Sequence, residues 1–68
     1  HVMKFIATVE DSQRSNIQEI ANTLEQMGVR VRDVMRISGV ITGSSKTLAR
    51  VRIKGIRSVE QDRRLGAS

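Results

Sequence analysis

The chain has 68 residues, no cysteine, one histidine (His1) and a formal net charge of +5. This length accommodates a single domain with a thin hydrophobic core. Disulfides and thiolate metal sites are excluded by the lack of cysteine. The single histidine argues against a clustered zinc site, and its interpretation as a vector-derived residue argues against a Ser-His-Asp triad.

The first predicted element is a strand over residues 3–9. His1 and Val2 precede Met3 and are interpreted as residues of vector origin, so the domain is expected to span 3–62. Alternation along the strand predicts one core-facing side and one opposite side with Lys4, Ile6 and Thr8.

An amphipathic helix is predicted over residues 13–27. Its apolar stripe follows the spacing of one helical face and consists of Ile17, Ile20, Ala21, Leu24 and Met27. A capping box is expected from Ser15 and Gln18, with Ser12 as an earlier candidate cap. Gly28 is placed for a left-handed C-terminal cap.

A β-hairpin is predicted to follow this helix. Residues 29–32 alternate as a half-buried strand does, Asp33 interrupts the pattern, and a bulge near Asp33 would reconcile the two halves. Ser38 and Gly39 form the expected turn, and residues 40–42 form a short third strand that ends at Gly43.

The segment 45–54 is ambiguous in sequence. Alternation of apolar and basic residues favours a strand, whereas Ser44 and Ser45 as caps and Gly55 as a terminator favour a helix. Because a strand–helix–hairpin needs a second helix to cover its sheet, we predict a helix here and a last strand over 56–62 that pairs with the first. The predicted fold is α+β and ferredoxin-like, βαββαβ, with a four-stranded antiparallel sheet and two helices on one face.

The second half of the chain carries a recognisable pattern. A Gly-Val-Ile-Thr-Gly hairpin (39–43) is followed by a short segment and then by Gly-Ile-Arg-Ser-Val-Glu-Gln-Asp (55–62). This pattern resembles subtilisin propeptides and the related stand-alone peptidase inhibitors. The resemblance implies a protein that binds a subtilisin-type serine protease, and inhibits it or assists its folding, through the sheet face and the C-terminal tail.

Two sets of site residues follow from the resemblance. The acids of the motif, Glu60 and Asp62, are implied to accept hydrogen bonds from the N-termini of two protease helices, where unpaired N–H groups and partial positive charge are found. The extended tail, 63–68, is implied to enter the active-site cleft through its last four residues, Leu65, Gly66, Ala67 and Ser68. Ser68 departs from the larger side chain that many subtilisins prefer. Alternatively, Glu60 and Asp62 only balance nearby arginines on a solvated edge.

The alternative function is a small basic interaction module that binds nucleic acid or another protein without inhibiting a protease. Nine arginines and three lysines would supply non-specific phosphate contacts, chiefly Arg30, Arg32, Arg36, Arg50 and Arg52. Phe5 is the only aromatic residue and is predicted to face the core, so a base-stacking platform is not expected.

Neither an enzyme, a cofactor nor a bound metal is predicted. No phosphate-binding glycine loop occurs, and the glycines are dispersed. No apolar run reaches the roughly 20 residues of a membrane span, and no signal peptide is recognisable. We therefore expect a cytoplasmic protein without membrane contact, either a monomer or a weak dimer.

Overall fold

The computed structural model describes residues 1–62 of the chain. Its elements, in chain order, are strand β1 (Met3–Val9), a first 3-10 turn (Asp11–Asn16), helix α1 (Ile17–Gln26), strand β2 (Arg30–Met35), strand β3 (Val40–Ser45), a second 3-10 turn (Ala49–Val51) and strand β4 (Ile56–Gln61). Within residues 1–62, no helix is long and apolar enough to cross a membrane.

The four strands form one antiparallel sheet in the order β2-β3-β1-β4. Strands β1 and β3 are central, and β2 and β4 are the edges. The predicted pairing of the last strand with the first is confirmed, as is the hairpin of β2 and β3. The chain therefore has an α+β fold built on a four-stranded antiparallel sheet.

The hydrophobic core lies between the sheet and α1. Alternate residues of β1 point into it, and Phe5 is only 1% exposed. The helix contributes four of the five residues predicted for its apolar stripe, Ile17, Ile20, Ala21 and Leu24, whereas Met27 lies past the end of α1 and is 42% exposed. Burial of these side chains is the main favourable contribution to stability in a domain of this size.

The C-terminal cap of α1 is as predicted, whereas the N-terminal cap is not. At the C-terminus, Gly28 has a φ of 93°. The N–H of Gly28 donates to the carbonyl of Glu25, and the N–H of Val29 donates to that of Leu24, which is a Schellman motif. At the N-terminus the predicted capping box is wrong. The cap position is Asn16, it makes no side-chain capping bond, and residues 11–16 form a 3-10 turn.

Strand β2 contains the predicted irregularity near Asp33. Its register against β3 shifts between Val31, which lies opposite Gly43, and Asp33, which lies opposite Thr42. The third strand is longer than predicted, because β3 continues through Gly43 to Ser45. Gly43 therefore lies inside the sheet rather than at a turn, under the bulge of its neighbour.

The predicted second helix over 45–54 is wrong. Within the described residues, α1 is the only α-helix, and the segment after β3 contains just the second 3-10 turn. Ser45 closes β3 instead of capping a helix, and of the nine residues between Ser45 and Gly55 only Ala49–Val51 form a helical turn. Val51 is fully buried and anchors the segment, with Leu48 and Ile53 packed beside it. Three apolar side chains thus cover the sheet without a helix.

Candidate functional site

One broad side of the sheet is not covered by any helix of residues 1–62. In β3, Ile41, Gly43 and Ser45 are buried toward α1, so the alternate residues point to the opposite side. Cross-strand pairing extends this side over the other strands. We call it the open face, and its residues are Lys4, Ile6, Thr8, Arg30, Arg32, Asp33, Met35, Val40, Thr42, Ser44, Arg57, Ser58, Glu60 and Asp62.

The centre of the open face is apolar. Ile6 on β1 and Val40 on β3 are half-buried although no helix lies over them. Met35 pairs with Val40 and is 44% exposed, so the apolar area continues to the β2 edge. The alternation of β1 already places Ile6 on this side in the sequence. An uncovered apolar centre on a small domain is a feature of interaction surfaces.

Both acids of the motif lie on the β4 edge of the open face. Glu60 is exposed and lies opposite Ile6 in the β1–β4 pair. Asp62 is half-buried, and its backbone N–H donates to the carbonyl of Lys4 at 2.8 Å. The two carboxylates are one residue apart on an extended strand and therefore leave the sheet on the same side.

The β2 edge of the open face carries basic residues. Arg30 lies opposite Ser44 in the β2–β3 pair. The hydroxyl of Thr42 donates to the Asp33 carboxylate at 3.2 Å, and the Nε of Arg32 lies 3.6 Å from the same carboxylate. The bulge thus brings Arg32 and Asp33 together on one side of the strand. The β2 edge thus has a net positive charge, from Arg30 and Arg32 with Asp33, and the β4 edge has a net negative charge, from Glu60 and Asp62 with Arg57.

The five arginines predicted to contact phosphate do not form one patch. Arg30 and Arg32 are on the open face, whereas Arg36 lies in the hairpin turn beside Arg14, near the start of α1. The guanidinium of Arg50 lies instead over Gly28, at the C-terminal end of α1. There it faces the negative end of the helix dipole.

Arg52 follows the second 3-10 turn and is exposed. These five positions therefore cover three separate parts of the surface. An aromatic platform is also lacking, because Phe5, the only aromatic residue of the chain, is buried under α1 as predicted.

The tip of the β2–β3 hairpin presents an exposed apolar residue that the sequence did not single out. Ile37 is 91% exposed. Its carbonyl accepts a hydrogen bond from Arg14 Nη1 at 3.1 Å, and Arg14 also forms an ion pair with Asp11 at 3.3 Å. Arg14 therefore holds the hairpin tip against the first 3-10 turn.

Among residues 1–62, no group of three or more His, Asp or Glu side chains is placed to hold a metal ion. Four grooves of this region are open depressions of about 60 to 340 Å³, and none of these four encloses a cluster of titratable groups. The tail residues predicted to enter a protease cleft, Leu65, Gly66, Ala67 and Ser68, lie outside the described residues.

Comparison with family models, with curated proteins and with solved structures gives no match to this chain.

Proposed function

We propose that this chain is a propeptide-like protein that binds a subtilisin-type serine protease through its open face and its C-terminal tail, and thereby inhibits the protease or assists its folding. The observation that carries the proposal is the placement of Glu60 and Asp62. Both lie at one edge of an uncovered sheet face, beside an apolar centre.

The chemistry of this edge suits helix N-termini. The first backbone N–H groups of a helix have no partner within the helix, and they carry partial positive charge. Two carboxylates on one side of a strand can each accept such hydrogen bonds from a pair of adjacent helices. The apolar centre around Ile6 and Val40 then packs on the helix surfaces, while the threonines and serines of the face tolerate partial hydration.

The path of the chain after β4 supports the second half of the proposal. Strand β4 is an edge strand, and its last ladder bond is made by Asp62. The chain then continues directly into the tail, which starts beside the acids at the same end of the sheet. A segment in this position can add to a protease cleft as an extended strand held by main-chain hydrogen bonds.

The strand order is also consistent with the fold of this family. Strand β3 lies between β1 and β2, and β1 lies between β3 and β4, as in two interleaved split βαβ units. We propose that the fold is ferredoxin-like with its second helix reduced to a single 3-10 turn (Ala49–Val51).

Two variants test the function with a panel of subtilisin-type proteases and a peptide substrate. Deletion of residues 65–68 is expected to abolish inhibition while the far-UV circular dichroism spectrum is retained. Glu60→Ala combined with Asp62→Ala is expected to raise the inhibition constant about tenfold to a hundredfold, at roughly 0.7–1.4 kcal/mol per lost charge-assisted bond.

The matched control is Glu19→Ala combined with Glu25→Ala, which removes the same charge from exposed positions of α1. This control is expected to inhibit like the parent protein. If no protease of the panel is inhibited by about 10 µM protein, a concentration that covers interfaces of moderate affinity, the inhibitory function is refuted.

The basic interaction module remains the alternative, and salt separates it from the first proposal. Binding to nucleic acid through scattered arginines would weaken steeply as salt rises and would not respond to deletion of residues 65–68.

A further inference from the structure

We propose that the open face also binds a second copy of this chain, forming a weak symmetric dimer in which the acidic β4 edge of each copy faces the basic β2 edge of the other. The inference comes from the charges and register of the open face and does not depend on protease binding.

The first observation is the charge balance of the open face. It carries four basic residues, Lys4, Arg30, Arg32 and Arg57, and three acidic residues, Asp33, Glu60 and Asp62. The formal net charge of the open face is thus +1, although the chain carries +5. Both signs are therefore present on this face, and opposite charges that meet across an interface offset part of the repulsion between two basic copies.

The second observation is that one row of the open face has opposite charges at its two ends. A cross-strand row runs from Asp62 on β4 through Lys4 on β1 and Ser44 on β3 to Arg30 on β2. A two-fold axis between two facing sheets and parallel to the strands reverses this row in the second copy. Asp62 of each copy then faces Arg30 of the other, and two such contacts form in one dimer.

The competing symmetry is disfavoured by the same charges. An axis in the same plane but perpendicular to the strands would place β4 over β4, so that Glu60 and Asp62 would meet acids of the second copy. Both axes leave the strands of the facing sheets nearly aligned, about 30° apart and roughly 10 Å between sheets, so the charges and not the strand angle distinguish them. The angle between the two sheets displaces their facing edges slightly, and an arginine side chain is long enough to span that displacement.

The centre of the open face supplies the apolar contact. In the next row, Ile6 lies beside the axis, and the Ile6 side chains of the two copies approach each other. At the edge of this row Glu60 faces Asp33 of the second copy, and Arg32, whose Nε is 3.6 Å from the Asp33 carboxylate, lies between the two acids. One like-charge approach is thereby compensated by a nearby arginine.

The size of the open face predicts weak association. Four strands about 4.8 Å apart and six residues of about 3.3 Å each give a footprint of roughly 400 Å² per copy. Because projecting side chains add to this flat footprint, the area buried on the two copies together is roughly 1,000 Å². This area lies below that of standard stable interfaces. We therefore expect a dissociation constant between about 10 µM and 1 mM, a range in which a dilute inhibitor is monomeric.

The test is a charge exchange across the interface, measured by sedimentation equilibrium of the full chain at low salt up to about 1 mM protein, the top of the expected range. Arg30→Glu alone and Asp62→Lys alone each place like charges in contact twice, so each variant is expected to weaken self-association at least tenfold. A mixture of the two variants restores both opposite-charge contacts and is expected to associate as the parent does. The double variant Arg30→Glu/Asp62→Lys is expected to recover self-association as well.

The controls change the same charges away from the open face: Arg52→Glu and Glu25→Lys, both at exposed positions. They are expected to leave association unchanged within about twofold, since only long-range electrostatics are altered. Circular dichroism verifies that each variant is folded. The proposal is overturned by a parent protein that stays monomeric at about 1 mM, by single variants that associate like the parent, or by a mixture that does not associate.

A measurement on the unaltered protein keeps the test decisive if a variant does not fold. Amide chemical shifts recorded during dilution are expected to change for Ile6, Thr42 and their open-face neighbours, and to stay constant along α1. Concentration-dependent shifts confined to α1 or to the hairpin tip would place the contact elsewhere and refute the proposal.

Discussion

Gly43 is the position at which the packing of this sheet can be tested most directly. It lies in the middle of β3 on the core-facing side, between Phe5 of β1 and Val31 of β2. A Cβ added there would be 2.0 Å from the carbonyl oxygen of Arg30 and 3.1 Å from the Phe5 ring. The first contact is with backbone, so a change of side-chain rotamer cannot relieve it. Strand β2 or β3 must move.

The expected cost of Gly43→Ala follows from that contact. Overpacking of a well-packed core destabilises by about 1–3 kcal/mol or more, and alanine recovers roughly 0.5–1 kcal/mol because it loses less backbone entropy than glycine in a strand. Since backbone must move by more than a side-chain adjustment, we expect a net loss of at least about 2 kcal/mol. A chain of this size has roughly 3–10 kcal/mol of stability in total, so the loss is a large fraction.

Thermal unfolding followed by far-UV circular dichroism measures this effect. At about 4–8 °C per kcal/mol for a domain of this size, Gly43→Ala is expected to lower the Tm by roughly 8–16 °C, or to prevent folding. The matched control is Ser44→Ala, the next residue of the same strand, which points to the open face and is expected to change the Tm by less than about 3 °C. A Tm for Gly43→Ala within about 2 °C of the parent would refute the close approach of β2 to β3 at the bulge.

Three further changes are expected to separate local effects. Ser45→Ala is expected to be neutral or to raise the stability by up to about 1 kcal/mol in urea unfolding, because the buried Ser45 hydroxyl has no hydrogen-bond partner within the described residues; a loss above that size would contradict this. Gly28→Ala is expected to cost about 1 kcal/mol in the same assay because of its φ of 93°, and Gly28→Asn less, since asparagine tolerates left-handed backbone more readily; equal losses would argue against the Schellman cap. Arg14→Ala is expected to change global stability by less than about 1 kcal/mol, because its contacts are exposed, yet to speed amide exchange around Ile37; unchanged exchange at the hairpin tip would show that Arg14 does not hold it.

Several features of this chain were predictable because they depend on short-range patterns. The apolar spacing from Ile17 to Leu24 determines a helical stripe wherever the helix packs, and Gly28 at its end supplies the left-handed residue that a Schellman motif needs. Alternation along residues 3–9 determines which side of β1 is buried. The interruption at Asp33 predicted the bulge of β2, because a strand can keep its core face across such an interruption only by inserting a residue.

Other features were decided by contacts between distant residues. The capping box was wrong because the chain enters α1 through a 3-10 turn whose geometry removes Ser15 from the cap position. The second helix was wrong because pairing with β1 and β2 extends β3 to Ser45, and the burial of Val51 then anchors the short remainder. For the second helix, tertiary contacts outweighed a local propensity of a few tenths of a kcal/mol, whereas the capping box was displaced by the local 3-10 turn.

The candidate site shows the same division. Spacing alone placed Glu60 and Asp62 on one side of a strand, because side chains alternate along extended backbone. Only the strand order places those acids at one edge of a sheet and Arg30 at the other, with Ile6 between them. The order of the strands depends on which pairings bury the core, and the second broad face is left uncovered as a result. Local sequence patterns do not determine these long-range pairings.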